Sequence, residues 1–186
     1  MLRGFLKWFC YNANMELLYT QILGIPVVGE GPRPLTSVHD VVIDPNNGSV
    51  LAFIVNLSKN LMIAPIDVEK LESNVLVVTD DFVIIEADEV VRVREVQKKG
   101  IKVFHNRVFS EDGTLIGKVY DFGIDTASSA LKKLYVAKDF LGLIRWEKRI
   151  LDWKEIVEIR ADRIVVKNDL ETVKDEPVVS LTEVAV

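Results

Sequence analysis

Apolar residues fall in short runs rich in Val, Ile, Leu and Phe, broken by turn-forming residues. That pattern predicts strands rather than long helices. Residues 38–44 and 50–55 are two such runs. They flank Pro45-Asn46-Asn47-Gly48, where Pro presets φ and Asn and Gly accept left-handed backbone, so a hairpin is expected. Residues 120–125 and 131–137 flank a weaker turn, Thr126-Ala127-Ser128-Ser129. Residues 75–79 and 164–167 add a later strand to each group, and 82–85 a further one to the first. Val38 and Ile43 stand five apart, which puts them on opposite faces of a regular strand. Both faces are therefore buried, or a bulge intervenes.

Within the modules, helix is expected mainly near residues 15–23 and around 87–98. The second ends in Lys98-Lys99-Gly100, the charge and glycine stop of a connector. Residues 1–14 carry Leu2, Phe5, Leu6, Trp8 and Phe9 at helical spacing, with Arg3 and Lys7 as their charges. Lys7 interrupts what would be a signal-peptide core. Peripheral membrane contact by a short interfacial helix is one reading of this segment. A helix docked on its own domain, or an upstream start with Met15 as the natural beginning, is the plainer one and is preferred.

The chain also repeats itself. Residues 26–55 align with 107–136 at a constant offset of 81, so Val38-His39-Asp40-Val41-Val42-Ile43-Asp44 falls on Val119-Tyr120-Asp121-Phe122-Gly123-Ile124-Asp125. Downstream, Ile66-Asp67-Val68 is matched to Leu151-Asp152-Trp153, and Asn74-Val75-Leu76-Val77 to Arg163-Ile164-Val165-Val166. Three blocks in one order argue for two copies of a small module.

These residues resemble the PRC-barrel family, named for the cytoplasmic domain of the photosynthetic reaction-centre H subunit and found also in the ribosome-maturation factor RimM. Leu115-Ile116-Gly117-Lys118-Val119-Tyr120-Asp121 is similar to the family's glycine-lysine-valine step, and Asp44-Pro45-Asn46-Asn47-Gly48 to its turn. Thr36-Ser37 and Ser129 depart from that pattern. The resemblance implies an all-β fold with minor helix, two tandem small PRC-type β-barrels. It also implies a non-enzymatic module used in assembly or protein contact. The expected organisation is an atypical segment at 1–14, a first module at 15–88, a connector at 89–104, a second module at 105–170 and an acidic tail at 171–186.

Composition removes several functions. The chain is 49% hydrophobic with a mean hydropathy of +0.20, enough for a real core. Its net charge of −5 disfavours a broad nucleic-acid surface. Cys10 is the single cysteine, so no intrachain disulfide forms, which fits a reducing, cytoplasmic setting. With His39 and His105 as the sole histidines, the supply of zinc ligands is too thin. No metal or cofactor is expected.

By residue type, Asp40/Asp44 and Asp121/Asp125 are the best acid–base candidates. Their recurrence in both copies favours a structural turn role, shared with Gly48 and Gly117, in which Asp binds nearby backbone N–H groups. The segment Phe140-Leu141-Gly142-Leu143-Ile144-Arg145-Trp146 lies where the copies diverge, the second being longer, with Phe140, Arg145 and Trp146 where the first has Ser58, Lys59 and Asn60. It is either a buried hairpin or a partner surface, with Phe140, Leu141, Leu143, Arg145 and Trp146 as its contacts. The leading expectation is an adaptor for a protein partner, self-association included. An RNA- or ribosome-associated maturation factor is the alternative, and an enzyme of unrecognised type the third.

Overall fold

The computed structural model describes residues 16–140 and 144–168, with backbone alone at 139, 140 and 144–147. Residues 1–14 and 171–186 lie outside that description, as do Leu141 and Leu143. The chain runs β1 (Glu16–Leu18), α1 (Tyr19–Ile22), β2 (Pro26–Val28), β3 (Thr36–Ser37), β4 (Asp40–Ile43), β5 (Val50–Asn56) and β6 (Leu61–Ile63). After a 3-10 turn at Pro65–Asp67 come β7 (Val68–Glu72), β8 (Val75–Val78) and β9 (Ile85–Glu86). Helix α2 (Val91–Lys98) leads to β10 (Arg107–Ser110), β11 (Leu115–Asp125), β12 (Ala130–Phe140) and β13 (Ile144–Asp152). A 3-10 turn at Trp153–Glu155, β14 (Ile156–Ile159) and β15 (Ile164–Val166) complete it. The fold is mostly β, as the alternation of runs and turns predicts. Among the described residues the strands form three sheets, with orders β13-β12-β11-β10-β15-β14, β3-β2-β8-β7 and β4-β5-β6-β9.

The two copies share their central pairing, while β9 on β6 and β1 on β11 have no counterpart in the other copy among the described residues. In the first, Asp40 lies opposite Ile54 and Val41 opposite Phe53; in the second, Asp121 lies opposite Tyr135 and Phe122 opposite Leu134. Each hairpin carries a bulge at the equivalent place, between Val42 and Ile43 and between Gly123 and Ile124. That bulge, with burial on both faces, lets Val38 and Ile43 both be core. The parallel pairs β2–β8 and β10–β15 also coincide, Val27 on Leu76 and Val108 on Ile164. Leu134 answers Phe53 at the offset of 81, whereas Leu151 answers Ile63 at 88, so seven residues are inserted between them in the second copy. The offset of 88 then holds to β15. Ile156–Val166 matches Val68–Val78, and Lys167 N–H binds Glu155 O as Thr79 N–H binds Asp67 O. The sequence match of Ile66-Asp67-Val68 to Leu151-Asp152-Trp153 is therefore wrong by three residues, because the similar D-x step outweighed the true spacing.

Residues 16–23, expected as a helix, form a strand and one helical turn. An open edge on β11 wins over the local preference: β1 pairs antiparallel with it, Leu17 opposite Ile124. The first copy's leading strand thus belongs to the second copy's sheet.

The hydrophobic core is shared. One cluster contains Phe53, Ile63 and Leu76 from the first copy and Phe122, Leu134 and Ile164 from the second, all buried. A smaller cluster lies on the outer face of β4–β6, where Val93 and Val96 of α2 cover Val42, Ala52, Ile54 and Met62.

Candidate functional site

The two hairpin tips meet. Ser49 forms an antiparallel bridge with Ala130, its own equivalent. Val50 N–H donates to Ser129 O and Leu131 N–H to Gly48 O, both at 2.8 Å. Each bond is the image of the other under the offset of 81, the reciprocity of an isologous contact.

Asp44 and Asp125 start these turns. Asp44 accepts from Asn46 N–H at 2.9 Å, and Asp125 from Ala127 and Ser128 N–H. Asp44 also takes a two-pronged bond from Arg92 of α2, at 3.0 and 2.8 Å. The Arg92 guanidinium holds the Asp44 carboxyl below its ordinary range. In Asp125 the same direction comes mainly from the Ser128 N–H. Gly48 has φ +74°, and a Cβ there would stand 3.0 Å from the Trp153 ring. Ser129, at the equivalent place, holds the same left-handed backbone with φ +49°.

Asp40, Asp121 and Gly117 do not lie in turns, contrary to expectation. Gly117 sits inside β11 opposite Val108, where a Cβ would stand 2.5 Å from Ala137 O. Close backbone packing requires it. Asp40 and Asp121 lie on either side of α1. Tyr19 O–H donates to Asp40 at 2.8 Å, while Thr20 donates to Asp121 through both its N–H and its hydroxyl. Each aspartate also accepts the N–H of the following residue. The Tyr19 ring stacks on Phe122 at 4.7 Å and packs against Phe104 at 4.8 Å. Burial, then the Asp40 carboxylate, pushes the Tyr19 hydroxyl well above its usual range, so it stays a proton donor. Both carboxylates accept structural donors, and Asp121 joins the copies through Thr20. Tyr19, Thr20 and Arg92 were not singled out by sequence reasoning; the pairing of β1 with β11, 107 residues on at Leu17–Ile124, is a non-local fact no motif carries.

The β12–β13 hairpin holds the remaining candidates. Its pairing continues to Asp139–Arg145 and Phe140–Ile144, so Phe140 and Arg145 occupy facing strands and Trp146 follows in β13. Their side chains lie outside the described residues. Among the described residues no cluster of three His, Cys, Asp or Glu side chains is placed to hold a metal, and no helix is long and apolar enough to cross a membrane. Two clefts flank α2. One, of about 530 Å³, lies between Arg92, Glu95 and Lys99 and residues 157–161. The other, of about 490 Å³, runs along β4 and is walled opposite by Val96, Gln97 and residues 100–105.

Two all-β modules with one register, one bulge and one parallel pair in common define a tandem of a single module type. The PRC-barrel domain family matches the chain twice, over residues 15–104 and 95–173. The chain belongs to that family, a family of non-catalytic modules in general. No curated protein matches it.

Proposed function

We propose that this protein is a non-catalytic assembly adaptor that binds another protein through its tandem PRC-barrel. The observation that carries this reading is the seven-residue extension of the β12–β13 hairpin relative to the β5–β6 hairpin, whose pairing it otherwise follows. A shared fold keeps what the barrel needs, so an extension in one copy alone is free to serve contact. The use of Asp40, Asp44, Asp121 and Asp125 as acceptors for backbone, Tyr19, Thr20 and Arg92 donors supports a scaffold rather than an acid–base site.

The contact surface is residues 140–146, with Trp146 and Arg145 as anchors and self-association as its simplest form. The test is affinity capture with the full chain, followed by titration of the captured partner. Trp146→Ala should weaken binding by more than ~1 kcal/mol with the circular dichroism unchanged. Unchanged affinity for Trp146→Ala and Arg145→Ala alike overturns this surface.

A further inference from the structure

The two copies differ at one sheet edge. On β11 the edge at Gly123, Ile124 and Asp125 is covered by β1, and Thr20 then turns onto Asp121. The equivalent edge of β4, at Val42, Ile43 and Asp44, pairs with no second strand among the described residues. The offset of 81 puts residues 97–101 in the place of 16–20. Gln97 and Lys98 belong to α2, however, and Gly100 stands where the first copy has Tyr19. A cleft of about 490 Å³ follows, walled by Asp40, Val41, Val42 and Ile43 on one side. Asp40 lines it, and both bonds that Asp40 accepts, from Tyr19 and from Val41 N–H, fall on Oδ1.

We infer that this edge is a strand-acceptor site and that its occupant is residues 178–182 of this chain, Val-Val-Ser-Leu-Thr. The template is Glu16-Leu17-Leu18-Tyr19-Thr20. Its two buried positions, Leu17 and Tyr19, become Val179 and Leu181, and the hydroxyl donor Thr20 becomes Thr182. Glu16 packs on Gly123 and meets Lys133 and Tyr135, whereas the equivalents in the first copy, Val42, Ala52 and Ile54, already lie under Val93 and Val96 of α2, so the inward pairing starts at Val179 and Val178 stays at the rim of α2. Val and Thr favour an extended, half-buried strand. The described chain ends at Asn168, and the ten residues onward to 178 span up to ~33 Å, enough to cross a small module. Main-chain bonds to an exposed edge, with side-chain pockets setting the register, are the physics of strand addition. In the inferred register Val179 lies opposite Ile43, Ser180 opposite Val42, and Thr182 donates to Asp40.

The experiment uses the full, isotope-labelled chain in solution. Cross-strand proton contacts between Val179 and Ile43 are expected. Leu181→Asp should speed amide exchange over β4 by tenfold or more while the circular dichroism stays unchanged. Thr182→Val should produce a smaller increase. Absence of the Val179–Ile43 contacts overturns the assignment. So does their appearance only between differently labelled copies in a mixed sample, which identifies the tail of a second chain as the occupant.

Discussion

The first hairpin of each copy has the same register and the same bulge, yet the outer faces are covered by opposite chemistry. Val42, Ala52, Ile54 and Met62 of the first copy are apolar and lie under Val93 and Val96 of α2. Three of the equivalent places in the second copy hold Gly123, Lys133 and Tyr135. They receive Glu16, whose carboxylate accepts the Tyr135 hydroxyl at 2.8 Å and sits 3.7 Å from Lys133 Nζ. Burial and that carboxylate raise the Tyr135 hydroxyl above its usual range, which keeps it a donor. The inner faces are alike, Phe53 answering Leu134 and Val41 answering Phe122, and they merge in one cluster. The inward face is thus what the fold fixes, and the outward face is where a copy specialises.

A shared inner face means that damage to one copy is felt by both. Phe122 is 1% exposed and carries the Tyr19 ring between the copies. Phe122→Ala should cost about 3–5 kcal/mol through lost burial and the remaining cavity. Denaturant unfolding followed by Trp fluorescence and by far-ultraviolet circular dichroism should remain one coincident transition. Two separated transitions would break the comparison, since the copies would then be independent.

The outward faces yield a smaller, more selective effect. Asp44→Asn should destabilise by about 1–2 kcal/mol, the loss of charge-assisted bonds that fix α2. The carboxyl is held below its unfolded value. Its contribution is therefore fully present above about pH 4 and is lost as pH falls through the lower folded value. The deficit of Asp44→Asn against wild type should accordingly be full at pH 7 and shrink below pH 4. Added salt should shrink the deficit of Asp44→Asn more than that of Asp125→Asn, because Asp125 is held mainly by N–H groups. Equal salt responses would remove this contrast between the copies.

What the sequence disclosed follows from the range of each interaction. The hairpin at Pro45-Asn46-Asn47-Gly48 and its twin are local, so turn chemistry and the offset of 81 place both to the residue. The bulge was visible as a conflict between Val38 and Ile43. Past the insertion, the match slipped by three at Ile66–Val68 and by one at Asn74–Val77, because the hairpin's length is set by pairing rather than by a motif. The strand at Glu16–Leu18 was hidden for a different reason. Met15, Leu18 and Ile22 keep the spacing of a helix face while Leu17 and Tyr19 keep that of a strand, and only the distant β11 edge decides. The bond of Arg92 to Asp44 depends on where α2 docks, which its own sequence does not say.

The smallest effect isolates backbone strain. Gly48 and Ser129 occupy the same left-handed position in the two turns, at φ +74° and +49°. Gly adopts that region freely, whereas a Cβ there meets the following carbonyl at a cost of roughly 1–2 kcal/mol. Ser129→Gly relieves this strain but also gives the unfolded chain more freedom, a loss of about 0.4–1 kcal/mol. The net expectation is a gain of about 0.5 kcal/mol, which thermal unfolding of paired samples can resolve for a chain of this size. Ser129 accepts the Val50 N–H through its backbone oxygen, so the bond joining the tips survives the change. The reverse substitution, Gly48→Ser, should have the opposite sign, because its Cβ faces the Trp153 ring as well as the strained φ. Destabilisation by both substitutions would mean that the Ser129 side chain makes a contact outweighing its strain, and the two turns would then be equivalent in backbone alone.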